Sequence, residues 1–305
     1  MATSPSAPIT PRPLDAVALV RVLRRLQASS GPPWLHGEVG RRMAARLALI
    51  RLQPEQVLDW GGLLGGSQAA LAAAYPRARR IQVEPDAAGC HRQPAQQPGR
   101  WWSPSRWAPA ARLPLKPADV PPDAAQLLWA NMQLHGSAEP QALLTAWHRA
   151  LKVGGFLMFS TLGPGSLASL RQLYAEAEWP SPMAPLVDMH DLGDMLVQAG
   201  FADPVMDQET LTLTWADPQA LLAELRTLGG NVDPRRYPGL RTPRWRDALL
   251  QRLQALARAD GRVALEIELV YGHAFKLAPA PRMASQTSIS LQQMRDLVRG
   301  NQRLP

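Results

Sequence analysis

The residues best placed to do chemistry lie in one short stretch, Asp59-Trp60-Gly61-Gly62-Leu63-Leu64-Gly65-Gly66, followed by Glu84. Glycines at the end of a strand let a ligand approach the backbone closely, and a helix N-terminus behind them favours an anion or a carboxylate. An acid 23 positions after Gly61, where Glu84 stands, is placed to accept hydrogen bonds from ribose hydroxyls. Asp59-x-Gly61-x-x-x-Gly65 is a short pattern, and a tight strand-to-helix turn beside an exposed glutamate reads the same way. Other chemistries lack their residues. Cys90 is the single cysteine, which argues against a disulfide framework, a Cys-rich zinc site and, with no paired base beside it, a thiol nucleophile. No HExxH, CxxC pair or carboxylate cluster with metal spacing occurs, so no metal site is expected.

The elements that must position this turn follow from periodicity. Leu14 to Gln27 and a second segment with Val39, Met43, Leu47 and Ile50 on one face predict two N-terminal amphipathic helices. Val57-Leu58-Asp59-Trp60 predicts a strand, Ser67 the cap of an alanine-rich helix, and Arg80 to Pro85 a second strand that ends on an acid. Strand, glycine turn, helix, strand, acid is the nucleotide-binding half of a parallel α/β sheet. Further strands are expected at 125–131, 156–160 after a turn at Gly154-Gly155, 210–215 and 265–271. The last two alternate, which predicts an antiparallel pair at the sheet edge, interrupted by a helical insertion. Residues 90–123, with Trp101, Trp102 and Trp107, keep no period, and a weak helix at Leu291 to Arg299 ends the chain.

The 305 residues are 46% hydrophobic and 19% charged, enough to bury a core and unlike a disordered chain. No apolar run nears the roughly 20 residues of a membrane span, and Met1 to Pro13 does not read as a secretory signal. A soluble, cytoplasmic protein is expected. The formal charge is +8, and Lys116, Lys152 and Lys276 are the only lysines, so arginine carries it. Arginine suits bidentate contacts to carboxylate or phosphate, and a positive surface suits an acidic partner. Genomic base composition would give the same bias. The three clustered tryptophans would suit base stacking, but no nucleic-acid module accompanies them, so no nucleic-acid partner is expected.

Several stretches carry a resemblance. They are Arg51 to Asp59 with the glycine turn, Ala74-Tyr75-Pro76-x-Ala78, Leu113-Pro114-Leu115, and Trp129-Ala130-Asn131-Met132-Gln133-Leu134-His135. More specific are Phe159-Ser160-Thr161-Leu162-Gly163-Pro164-Gly165-Ser166-Leu167, Asp188 to Asp194 with Ala199-Gly200-Phe201, and Val270-Tyr271-Gly272-His273-Ala274. Over roughly residues 15 to 276 the chain resembles the class I S-adenosylmethionine-dependent methyltransferases. Within them it resembles the malonyl-acyl-carrier-protein O-methyltransferases of biotin synthesis. The resemblance implies a Rossmann-like α/β fold: a mostly parallel seven-stranded sheet, helices on both faces and a helical insertion before the last strand. It implies a methyltransferase domain at 14–276, with N-terminal helices at 14–52 and a helical lid at 217–260, between a tail at 1–13 and a linker at 277–305.

For the site, the resemblance implies S-adenosylmethionine as cofactor, with Asp59, Gly61 and Gly65 in its turn. Glu84 is then the ribose-binding acid, and Asn131 lies on the motif that closes the pocket. The implied substrate is the free carboxylate of a malonyl thioester on an acyl carrier protein, which is acidic. Arg235, Arg236, Arg241, Arg244 and Arg246 in the insertion are its expected docking surface, against the plainer reading of a solvated arginine-rich loop. His190 is a candidate substrate contact, against a structural role. Two departures from the family pattern, Leu63 in place of the middle glycine and Pro109 in place of an adenine-binding acid, support a second expectation: a silent homologue that binds a protein partner.

Overall fold

The computed structural model describes residues 13–85 and 114–278. Cys90, Trp101, Trp102, Trp107, Pro109 and the expected helix at 291–299 lie outside them. Helices α1 (Ala16–Gln27) and α2 (Trp34–Arg46) lead to strand β1 (Gln56–Trp60). The one-turn helix α3 (Gly62–Gly65), helix α4 (Gln68–Ala74) and strand β2 (Arg79–Val83) follow. Strand β3 (Ala125–Ala130), helix α5 (Pro140–Ala150) and strand β4 (Leu151–Leu162) continue the α/β alternation. Then come α6 (Ala168–Glu176), α7 (Met189–Gln198), β5 (Ala202–Trp215), α8 (Pro218–Leu228), α9 (Pro243–Gln254) and β6 (Val263–Phe275).

The strands form one sheet in the order β2-β1-β3-β4-β6-β5. Strands β2, β1, β3 and β4 are mutually parallel, while β6 runs antiparallel to both β4 and β5. The antiparallel edge with its helical insertion is as the sequence predicts. Among the described residues the sheet has six strands, not seven. Two local expectations also change. Gly154-Gly155 makes its turn inside β4 and not ahead of it: Gly154 is left-handed at φ +79° and the register to β3 shifts before Phe156, while Gly154 donates to the Lys276 carbonyl and Lys276 to the Gly155 carbonyl, which extends the ladder toward β6. Ser67 does not cap α4, because its hydroxyl turns back to donate to the Gly65 carbonyl at 3.3 Å.

Parallel strands covered on both faces read as continuous apolar runs, which is why β1 and β3 are buried almost throughout. One face packs Leu58, Trp60, Leu128, Trp147 and Phe159 under α5 and α7. The other packs Val39, Met43, Leu71, Trp129 and Tyr271 under α2 and α4. A third cluster holds the insertion: Leu221 of α8 and Leu249 and Leu253 of α9 pack with Leu170, Leu173, Trp215 and Leu265. Trp147 of α5 stands edge-on to Trp60 at 6.1 Å and tilted against Phe159 at 6.2 Å, so one side chain couples α5 to the ends of β1 and β4. Trp147→Ala removes a fully buried ring and is expected to cost about 3–5 kcal/mol in urea unfolding, with Trp147→Phe costing clearly less.

Candidate functional site

The carboxyl ends of β1, β2 and β3 bring Asp59, Gly61, Gly65, Glu84 and Asn131 into one cluster. β1 delivers Asp59 and Trp60, and the backbone then turns at Gly61, whose φ of +69° is left-handed. The turn has no room for side chains at two positions. A Cβ on Gly61 would lie 2.2 Å from the Gln133 side-chain amide, and one on Gly62 would lie 2.3 Å from the Asp59 carboxylate. Gly65 by contrast would make only ordinary contacts, the nearest to the Asn131 carbonyl at 3.5 Å. The glycine requirement here is thus on the adjacent pair Gly61-Gly62, and Leu63 occupies a half-buried position on α3 rather than the tight part of the turn.

Glu84 follows β2 directly and is 2% exposed. Its Oε1 accepts the Leu63 N–H at 2.9 Å and the Gln82 side-chain amide at 2.8 Å. The Leu63 N–H is one of the free donors of the first turn of α3, so the acid does the work of an N-cap across the sheet. Asp59, 4% exposed, lies close enough to feel the Glu84 charge. Burial, then the Glu84 charge, push the Asp59 pKa up to about 7, with Arg80 opposing. Two carboxylates buried together, one of them half-protonated at neutral pH, form a site that a cation would relieve.

Asn131 is held by three bonds. Its Nδ2 donates to the carbonyls of His36 at 2.7 Å and Gly65 at 2.5 Å, and its Oδ1 accepts from the Ser160 hydroxyl at 2.6 Å. Both amide hydrogens are spent on backbone, so Asn131 positions the turn. It ties together α2, the glycine turn and β4. His36 completes the arrangement, with Nδ1 donating to the Leu64 carbonyl at 2.7 Å; burial lowers its pKa to about 4 and keeps the ring neutral. Gln133 adds a donor to the carbonyl of Asn131 at 3.1 Å. Sequence reasoning missed His36, Gln133 and Ser160. The first lies 23 residues before Asp59 on another element, with nothing local to connect them.

The other candidates lie apart from this cluster. His190 is exposed at the start of α7, where Asp188 accepts its N–H as the N-cap. Arg236 is engaged within the chain, pairing with Asp15 at 2.7 Å. Asp15 also donates its N–H to the Val232 carbonyl, so the loop of the insertion is clasped to α1. Arg241 stacks on Tyr237 at 4.0 Å and on Trp245 at 4.4 Å. Arg235, Arg244 and Arg246 are exposed, and so is Leu240 in the same stretch of chain, at 96%. The structure therefore divides the five arginines: Arg236 and Arg241 are engaged by neighbouring side chains, Arg235 pairs with buried Asp233 at 3.4 Å while most of its side chain stays exposed, and Arg244 and Arg246 face solvent. Among the described residues no group of three or more metal-ligating side chains occurs, and no helix is long and apolar enough to cross a membrane.

The raised Asp59 pKa fixes a stability dependence. Between about pH 4 and 7 the unfolded chain holds Asp59 ionised while the folded chain keeps it protonated, so stability falls as pH rises through that window and levels off above it. Asp59→Asn removes this slope. The difference in melting temperature between variant and parent is expected to grow in the variant's favour from pH 4.5 to 7 and then flatten. A difference independent of pH would contradict the assignment.

No family model matches the chain. It is 40% identical to the malonyl-[acyl-carrier protein] O-methyltransferase of Gallionella capsiferriformans over 255 residues, covering 82% of this chain and 86% of that protein. It is 37% identical to the enzyme of the same name from Laribacter hongkongensis, over 81% and 84% of the two chains, and 34% identical to that of Nitrosospira multiformis, over 83% and 85%. Among solved structures, the YcgJ protein from Bacillus subtilis overlaps 77% of this chain and 98% of its own at a TM-score of 0.48 and 10% identity. With this degree of identity over nearly the whole length of its relatives, the chain belongs to the malonyl-[acyl-carrier protein] O-methyltransferase family.

Proposed function

We propose that the chain transfers the methyl group of S-adenosylmethionine to the free carboxylate of a malonyl thioester carried on acyl carrier protein, in the cytoplasm. The observation that carries this is 40% identity across 86% of a relative bearing that name, with the glycine turn and its two buried acids in place. The site suits the donor chemically. Glu84 is a carboxylate at the end of the second strand, where ribose hydroxyls need an acceptor, and its Oε1 already fixes the turn through Leu63. Asp59 and Glu84 together favour a cationic ligand, and the sulfonium donor is one. Gly61-Gly62 lets the Gln133 amide and the Asp59 carboxylate close directly on the backbone of the turn.

When bound, the donor supplies a methyl group on a positively charged sulfur. The acceptor needs no activation, since a malonyl carboxylate with a reference pKa of about 4 is ionised at neutral pH. One of its oxygens forms the new O–CH3 bond as the S–CH3 bond breaks, and no proton moves. No general base is required of this chain. Its residues orient the two reactants and exclude water, and alignment of that kind supplies up to about 7–11 kcal/mol in favourable cases. Asn131 and His36 serve alignment by fixing the turn, while exposed Arg244 and Arg246 offer basic groups to an acidic carrier.

The test is methyl ester formation by the purified chain from labelled S-adenosylmethionine and malonyl-carrier protein, followed by mass. Product is expected only with both substrates present. Glu84→Gln keeps the shape but not the charge, and is expected to raise the donor KM about tenfold or more. Reversing the exposed arginines, as in Arg244→Glu with Arg246→Glu, should raise the KM for carrier protein and leave the donor KM unchanged. Binding of the donor without any ester would overturn the substrate assignment.

A further inference from the structure

We propose that Arg171, with Arg235 facing the same cavity, anchors the free carboxylate of the acyl group and thereby sets the enzyme's preference for a dicarboxylic thioester. This rests on the methyl-transfer reading above and deepens it. Arg171 sits in α6, just after the loop Gly163-Pro164-Gly165 that leaves the carboxyl end of β4. That is the end of the sheet at which Asp59 and Glu84 also stand. One arm of its guanidinium donates to the Pro164 carbonyl, which fixes the group against the loop. Its Nε–H is buried and has no hydrogen-bond partner. Among the described residues no carboxylate lies within ion-pair distance of it, although the described ion pairs engage arginines elsewhere.

A guanidinium without an acidic partner presents a planar fork that matches a carboxylate. Arg171 opens onto a cavity of about 140 Å³, lined also by Ser181, Met183, Ala184, Asp233 and Arg235. Asp233 does not neutralise Arg171: it is 1% exposed, and its carboxylate is engaged by the Arg235 N–H at 2.7 Å and the Arg235 guanidinium at 3.4 Å. Glu268, the acid nearest the loop, accepts the Gly165 N–H at 3.0 Å. Arg235 itself has a side chain 76% exposed and keeps donors to spare. Two cations against one spent acid, with Met183 and Ala184 as the apolar wall, suit a carboxylate on a short methylene. A neutral acyl group would bring no counter-charge to either guanidinium, which is a reason for specificity as well as affinity.

The experiment compares Arg171→Gln, Arg171→Lys and Arg235→Gln with the parent on two acceptors, malonyl-carrier protein and the malonyl thioester of N-acetylcysteamine. The second has the carboxylate but no phosphate. The Arg171→Gln variant is expected to raise KM about tenfold or more on both acceptors, with a smaller change in kcat. Lysine should restore part of the loss. Arg235→Gln, at an exposed position where folding is not at risk, should raise KM by a smaller factor. KM within twofold of the parent on both acceptors overturns the proposal. A rise confined to the carrier-bound acceptor assigns Arg171 to the carrier's phosphate and also overturns it. Thermal stabilisation by millimolar malonate alone, expected for the parent and lost in Arg171→Gln, reads this site without turnover. Its absence in the parent counts against the proposal, whereas stabilisation with no ester formed counts against the methyl-transfer reading instead.

Discussion

Burying two carboxylates at the ends of neighbouring strands is the constraint around which this molecule is arranged. Asp59 and Glu84 stand at the carboxyl ends of β1 and β2, both nearly inaccessible. Unopposed charges in such a position are expensive, and the structure answers in two ways. Glu84 is given backbone and amide donors, while Asp59 is pushed toward its neutral form. The remaining mismatch is the chemical basis of the proposal that the pair holds a cationic donor.

The rest of the framework holds that turn still. Asn131 binds α2, the turn and β4 in one amide, and His36 adds a bond from α2 to the Leu64 carbonyl. Helix α2 is in turn fixed to the sheet edge. Arg46 pairs with Asp207 at 2.5 Å and covers the Tyr271 ring at 3.8 Å, while Arg42 reaches Glu209 at 3.2 Å. Glu209 also accepts from the Tyr271 hydroxyl at 2.5 Å. These contacts carry order from the antiparallel edge to the glycine turn through a helix that precedes both in sequence. On the other side, α1 and the insertion are clasped by Asp15 with Arg236 and by Arg25 with the Gly229 carbonyl.

What could be seen in the sequence was what local pattern dictates. Val57 to Trp60 is a strand because a parallel strand buried on both faces must be apolar throughout, and the glycines that follow signal the turn. The alternation in 210–215 and 265–271 gave the edge pair because one face of each strand packs and the other does not. The acid at Glu84 was visible from its spacing alone. What it bonds was not, since a contact to the Leu63 backbone depends on how β1 and β2 lie side by side. Leu63 looked obstructive when compared with a glycine pattern. In the structure the bare positions are Gly61 and Gly62, and their need comes from Gln133 and Asp59 closing on them. Asn131 was legible as a motif residue but not as a hub. Arg171 was not legible: one arginine among many, it becomes distinctive only through its place on a cavity shared with Arg235.

The central claim is that the buried acid pair holds a cationic methyl donor. Calorimetric titration at pH 6 and pH 7.5 tests it most directly, with S-adenosylmethionine and its uncharged-sulfur product S-adenosylhomocysteine measured side by side. With Asp59 titrating near 7, the sulfonium ligand must displace a proton at the lower pH. Its affinity is therefore predicted to rise severalfold, up to about tenfold, between the two conditions, and the product's affinity to rise less. Equal affinity of S-adenosylmethionine at both pH values, or no binding at millimolar concentration, would contradict the account.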